Sequence, residues 1–212
     1  MKRARILAAV VPSLLVAALG GAAASAPAAA APLPKPKHEV PHCIGGDGVD
    51  LNEFYDVKER IIGPPTCRET YAKDKWVRIV RAWFTAPSAE GAVYPAGYTP
   101  SRPNPIDDFN SKFVSATYVQ DIGTPHEERF TYKKDRVLRT GLVDADGFPY
   151  SIAISPPLKA LALGPHTSTV LFTLKAEHCD GTGTVVADNC LPAGTFAYSS
   201  GLPFTVVPRP DY

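Results

Sequence analysis

Five histidines, four cysteines and a few close pairs of acids are the residues here whose types could do chemistry. His178-Cys179-Asp180 sets an imidazole beside a thiol, the partnership of a cysteine nucleophile with its base. A reactive thiolate needs a free cysteine, however, and Cys190 stands close by in sequence as an oxidation partner. His38 and His42 are spaced to hold a metal from one helix face, but Pro41 between them breaks the helix this requires. Asp144-Ala145-Asp146-Gly147 opens like a calcium loop. Phe148-Pro149 follows at once where further oxygen ligands would have to come, so a tight turn is expected. Asp107-Asp108 could pair as acid and base, but neighbours in extended chain point to opposite faces, and a polar loop end is the better reading. Ser199-Ser200-Gly201 lacks a nucleophile elbow, and there is no P-loop, zincin helix or dinucleotide-binding glycine pattern. The sequence thus names no catalytic residue, no metal ligand and no cofactor. Tyr94, Tyr98 and Arg102 remain, in a Pro-rich loop where tyrosine offers contact area at low entropic cost. That loop could bind a protein or a glycan, or fold back over a sheet edge.

The elements that would position these residues begin with an export signal. Lys2, Arg3 and Arg5 precede an apolar run from Ile6 to about Leu19, and small residues from Gly20 to Ala31 offer cleavage sites. This reads as a secretory signal peptide over residues 1–30, too short in its apolar part to span a membrane. Nothing after it is long and apolar enough to cross a bilayer, so a secreted, extracellular product is expected. The whole chain has a formal charge of +1, and losing three basic residues leaves the mature part slightly acidic. Nucleic acid and anionic membranes, which call for a basic face, are not the expected partners.

What remains has the size of one domain. Four cysteines in an exported chain read as two disulfides among Cys43, Cys67, Cys179 and Cys190. Three connectivities are open, and the sequence-local one, Cys43–Cys67 with Cys179–Cys190, is favoured. Each such loop closure is worth about 3 kcal/mol in the chain-entropy account. Residues 31–42 form a Pro/Ala-rich leader, and residues 43–67 a disulfide-tied cap with a short helix begun by Asp50. Residues 68–212 carry the alternation of strands: Trp76–Phe84, Phe113–Gln120, Phe130–Tyr132, Arg136–Thr140, Tyr150–Ser155, Ser168–Ala176 and Phe196–Val207. Residues 86–108, with five prolines, read as an irregular surface excursion. The run from Leu161 to Val207 is the clearest part, two strands pairing back on each other around the Cys179–Cys190 loop. An all-β, Ig-like antiparallel sandwich of seven to eight strands is the expected fold. The apolar-Gly-Pro corner before a Thr/Val strand is often written this way in Ig-like folds.

The motifs DGVDLNEFYDV, YPAGYTPSRPNP, LGPHTSTVLFTLKAEHCDG and NCLPAGTFAY resemble those of uncharacterised secreted Ig-like proteins of high-GC Gram-positive bacteria. The resemblance spans most of the mature chain and implies export, a Cys179–Cys190 disulfide and an Ig-like fold. It implies no activity, and a fold alone supplies none. Three roles follow as expectations. The first is a binding module with a protein or envelope-glycan partner. The second is a hydrolase built from scattered His, Asp and Ser, favoured if His166 or His178 meets an acid in a deep pocket. The third is a protease inhibitor presenting the 179–190 loop or the Tyr-Pro excursion.

Overall fold

The computed structural model describes residues 41–64 and 67–209. The expected signal peptide, His38 and all but the end of the Pro/Ala-rich leader lie outside the described residues. The first half of the chain carries helix α1 (Leu51–Tyr55) and strands β1 (Arg60–Ile62), β2 (Glu69–Tyr71), β3 (Trp76–Arg78) and β4 (Trp83–Phe84). Helix α2 (Pro105–Lys112) then leads into β5 (Phe113–Gln120) and β6 (Glu128–Lys133). The helical turn α3 (Lys134–Val137) precedes β7 (Leu138–Val143), β8 (Pro149–Ala153), β9 (Gly164–Leu174) and β10 (His178–Cys179). The turn α4 (Val186–Asn189), β11 (Cys190–Leu191) and β12 (Gly194–Val207) complete it.

The protein is largely β, with few and short helices. A five-stranded sheet runs in the order β2-β12-β9-β5-β6, and a three-stranded one in the order β4-β8-β7. β1 and β3 form a separate parallel pair, and β10 and β11 an antiparallel one. The expected pairing of the last two long strands holds: β12 runs antiparallel to β9 from Gly194 opposite Leu174 to Val206 opposite Gly164. The ladder is not antiparallel throughout, as the sequence reading had it. β2 joins β12 in parallel, and β1 joins β3 likewise.

Alternation explains the long strands. In β9 the buried Val170, Phe172 and Leu174 share one face, and β12 adds Leu202, Phe204 and Val206. Phe172 packs edge-on against Phe113 at 5.0 Å and is stacked on Tyr198 at 4.0 Å between centroids. Trp76 lies on Phe204 at 4.9 Å, and its indole N–H donates to the Lys159 carbonyl at 3.0 Å. Ala153, Leu158, Val137 and Leu138 close this core from the side of the smaller sheet. A second, smaller core holds Cys43, Ile61, Val77, Ile79, Ile152 and Ile154. β3 lies between the two, with Trp76 in one core and Val77 in the other. That is why WVRIV shows no alternation and is buried throughout. The expected strand over 76–84 accordingly divides into β3 and β4, and only Gly63 lets β1 pass close to Ile79. A Cβ there would lie 2.9 Å from the Ile79 carbonyl oxygen.

Both disulfides form with the favoured pairing, Cys43–Cys67 and Cys179–Cys190. The 43–67 segment is more than a cap, because Ile61 and Ile62 of β1 are fully buried. Asp50 does cap α1, accepting from the amides of Asn52 and Glu53. The inward residue of α1 is Asn52, however, whose amide bonds the backbone of Cys43, Val57 and Glu59, while Phe54 faces out. The larger correction is α2. A helix lies at the end of the stretch read as irregular, capped by Asn104 and opened by Pro105 at its first position.

Phe172→Ala should cost about 3–5 kcal/mol, the range for deleting a fully buried phenyl ring. Urea unfolding measures this, and a loss below about 1 kcal/mol would mean that β9 is not where the core is packed.

Candidate functional site

Two open clefts meet at one histidine. The first, of about 740 Å³, lies between the β5–β6 turn and the chain leading into β9; Pro125, Glu128, Lys159, Leu161 and Leu163 line it beside His166. The second, of about 720 Å³, shares Asp121, Thr124, Pro165 and His166 with it and adds Arg68, Pro203 and Thr205. Both fall in the size range of ligand sites, roughly 300–1,000 Å³. Charges along the first are already engaged: Glu128 faces Lys159 at 3.6 Å, and Glu127 holds Arg129 at 2.6 Å. Leu163 is 60 % exposed.

The turn that builds the shared wall is rigid for local reasons. Asp121 sits in the left-handed region at φ 49°, a conformation aspartate tolerates. Its Oδ1 accepts from the Thr167 amide at 2.8 Å, and the Gly123 amide donates to Glu127 at 2.8 Å across the turn. Asp121 Oδ2 faces His166 Nδ1 at 2.7 Å. This is the histidine–acid pair that a hydrolase would need. The other ring nitrogen decides what it can do: His166 Nε2 is 2.9 Å from the Ala162 carbonyl oxygen. Both nitrogens therefore face acceptors, and a ring so held has no lone pair turned toward a substrate.

The second histidine–acid pair is sealed. Asp108 and His178 are fully buried, and six donors converge on the Asp108 carboxylate. Oδ2 accepts from Tyr98 Oη at 2.8 Å, Lys112 Nζ at 2.7 Å and His178 Nδ1 at 2.8 Å. Oδ1 accepts from the Ser101 amide and hydroxyl, both at 2.7 Å, and from the Arg102 amide at 3.2 Å. Burial alone would raise the Asp108 carboxyl, but His178, Lys112, Ser101 and Tyr98 outweigh it and hold the group well below its usual range. Burial lowers His178, against the pull of Asp108, so the ring is neutral and donates from Nδ1. Its Nε2 is buried without a partner among the described residues. Asp107 is exposed one helical step away, so the adjacent acids do not act as a pair.

The other candidate residues fall as follows. Tyr94 and Tyr98 pack with tilted rings 5.2 Å apart, half-buried, with Tyr98 turned in to Asp108. Burial pushes both phenols up, and Asp108 adds to the effect. Of the three loop residues, only Arg102 is exposed. Asp144 Oδ1 accepts from the amides of Asp146 and Phe148, making the β7–β8 turn a closed hairpin end. Ser199 lies at a register shift of β12, bonded to Arg78.

Between the joined cysteines, Asp180 accepts from Thr182, whose hydroxyl takes a bond from Asn189. Val185 and Val186 are each 54 % exposed at the tip. The chain curls into α4 there, whereas a protease-inhibiting loop is extended through its contact residues. Among the described residues, two groups bring metal-binding types within 4.8 Å: Glu177 with Cys179 and Cys190, and His42 with Asp50 and Glu53. In the first the sulfurs are bonded to each other and offer no thiolate. In the second, Asp50 is committed to His42 at 2.6 Å and to the α1 cap.

The sealed network fixes a pH response. His178 stays neutral in the fold, while in the unfolded chain it gains a proton near its ordinary value of about 6.5, so its contribution is present above that pH and lost below. Asp108, held low, adds a second loss as pH falls beneath about 4. Urea midpoints measured from pH 8 to 2 should therefore fall in two steps, and His178→Gln should remove the first; an unchanged first step would take His178 out of the account. Asp108→Asn should cost about 3–5 kcal/mol at pH 7, because Lys112 is left buried without its counter-charge. Set against known proteins, the chain matches no family model, no curated protein and no solved structure.

Proposed function

We propose that this chain is exported and acts as a disulfide-clipped, Ig-like binding domain that takes up an extended segment of a protein partner in the clefts beside His166. Export is supported by the character of residues 1–30 and by two disulfides, which persist in oxidising compartments. The Ig-like reading rests on strand order. With β5 as strand C, the sheet β2-β12-β9-β5-β6 follows A′-G-F-C-C′, and β4-β8-β7 follows B-E-D, the arrangement of a variable-type sandwich. The resemblance to uncharacterised exported Ig-like proteins of high-GC Gram-positive bacteria agrees with both.

One observation favours binding over catalysis: the Ala162 carbonyl on His166 Nε2, which occupies the nitrogen that a general base would use. The cleft walls suit a polypeptide better than a glycan. They are built of prolines and leucines with paired charges, and their one phenyl ring, Phe204, is 3 % exposed and offers a sugar no face to stack on.

The second reading, a hydrolase, is favoured by the 2.7 Å contact between His166 and Asp121 in an open cleft. The two separate cleanly. A pull-down from the producing cell's envelope and culture fluid should retain a partner on the wild type and lose it with Leu163→Glu, whose melting temperature should be unchanged. A broad esterase, peptidase and glycosidase panel should stay silent. Turnover abolished by His166→Gln would replace the binding reading with the hydrolytic one.

A further inference from the structure

Arg78 carries a charge that no carboxylate among the described residues pairs with. Its side chain is fully buried between β1, β9 and β12. Nε donates to Ser168 Oγ at 3.2 Å and Nη2 to Ser199 Oγ at 3.1 Å, while Nη1 reaches the carbonyls of Ile62 and Ile79. Every one of these acceptors is neutral. Burial pushes the guanidinium pKa down to about 10, which leaves it protonated at neutral pH. A buried cation without a counter-charge is among the costliest things a core can hold.

Two buried polar groups near it lack partners. Gln120 is fully buried, and neither its amide nitrogen nor its amide oxygen has a partner among the described residues. The Tyr118 hydroxyl is in the same condition. Gln120 stands directly opposite Ser168 in the β5–β9 ladder, so the two side chains share a face, and Tyr118, two residues earlier, lies on that face as well. Tyr118 is near enough to feel the Arg78 charge. The remaining capacity is therefore one N–H on Arg78 Nη2, the protons of Ser168, Ser199 and Tyr118, and the Gln120 NH₂. The acceptors beside them, the Gln120 amide oxygen and the remaining lone pairs of the three hydroxyls, are all neutral, so none of them answers the charge.

We propose that Arg78, Ser168, Ser199, Gln120 and Tyr118 form an internal site for one small monovalent anion of chloride size. The single charge matches one guanidinium, and the unpartnered Gln120 NH₂ and Tyr118 O–H can donate to the same ligand. The full burial of Arg78, Gln120 and Tyr118 favours the smallest occupant. A water molecule would satisfy the amide and the hydroxyl but leave the charge unanswered. Because the site is closed by packing of β3, β9 and β12, the anion is bound by the folded state and not by the unfolded chain, so it stabilises by mass action.

The test compares thermal unfolding of the whole mature protein in sodium chloride and in sodium gluconate at equal ionic strength. The melting temperature should climb with chloride by roughly 3 °C per tenfold rise once the site fills, and by much less with gluconate. Arg78→Met should flatten the difference. Should that variant fail to fold, crystals of the wild type grown in bromide decide the matter: an anomalous peak is expected within contact distance of Arg78 Nη2. Equal melting curves in the two salts, or a bromide crystal with no anomalous peak there, would overturn the proposal.

Discussion

The Asp108 carboxylate is the constraint on which the far end of the molecule depends. It gathers donors from three segments that share no sheet: Tyr98, Ser101 and Arg102 of the Pro-rich loop, Lys112 of α2, and His178 of β10. The loop has little apolar material with which to offset the entropy of being ordered. Charge-assisted hydrogen bonds, each worth about 1.5–3 kcal/mol, supply what burial cannot. The same carboxylate orients β10, and with it the disulfide that starts at Cys179. Val93 donates to Gly181 at 2.8 Å, so the two loops are joined again beyond the network. A stretch that reads as a free binding loop thereby becomes a wall of the fold.

The two histidine–acid pairs show why such a pair is weak testimony for catalysis. His178 and His166 each place Nδ1 within 2.8 Å of an aspartate oxygen, and in both the other nitrogen is denied to a substrate. For His178 it is packed away beside Trp83 and Phe109. For His166 it is spent on a backbone carbonyl. Each pair fastens a strand end: Asp121 ties the β5–β6 turn to the start of β9, and Asp108 ties α2 to β10. At His166 the imidazole also reaches the Ala162 carbonyl, across a gap no hydroxyl would span.

What the sequence disclosed and what it hid divide along physical lines. β5, β9 and β12 were legible because one face of each is buried, so the side-chain period appears directly in residues such as Val170, Phe172 and Leu174. The Asp144 turn and both disulfides were legible because their determinants are local. Helix α2 was not, since its buried face mixes charge into the apolar positions: Asp108 and Lys112, four apart, sit inside beside Pro105, Ile106 and Phe109. The prolines around it argued for irregular chain, although Pro105 in fact occupies the position where a helix accepts it. The parallel pairing of β2 with β12 joins residues far apart in sequence and leaves no local trace. Nor does anything near His166 point to Asp121, whose turn reads as an ordinary polar hairpin end.

Arg78 shows the same limit from the other direction. In WVRIV the charge reads as an intrusion on an apolar face, and the usual inference is that the strand turns that residue outward. It turns inward because β12 bends to meet it. The β9–β12 register shifts between Ala197 and Ser199 and again between Ser199 and Leu202, and Ser199, held between those shifts, reaches Nη2. Gly201, at φ 61°, adopts the conformation the second shift requires, and its amide donates to Thr169 Oγ1 at 3.1 Å. The bulge and the buried guanidinium thus explain each other. Without Arg78 the strand would have no reason to surrender ladder hydrogen bonds in mid-sheet, and without the bulge the guanidinium would have one acceptor fewer, with no described carboxylate paired to it.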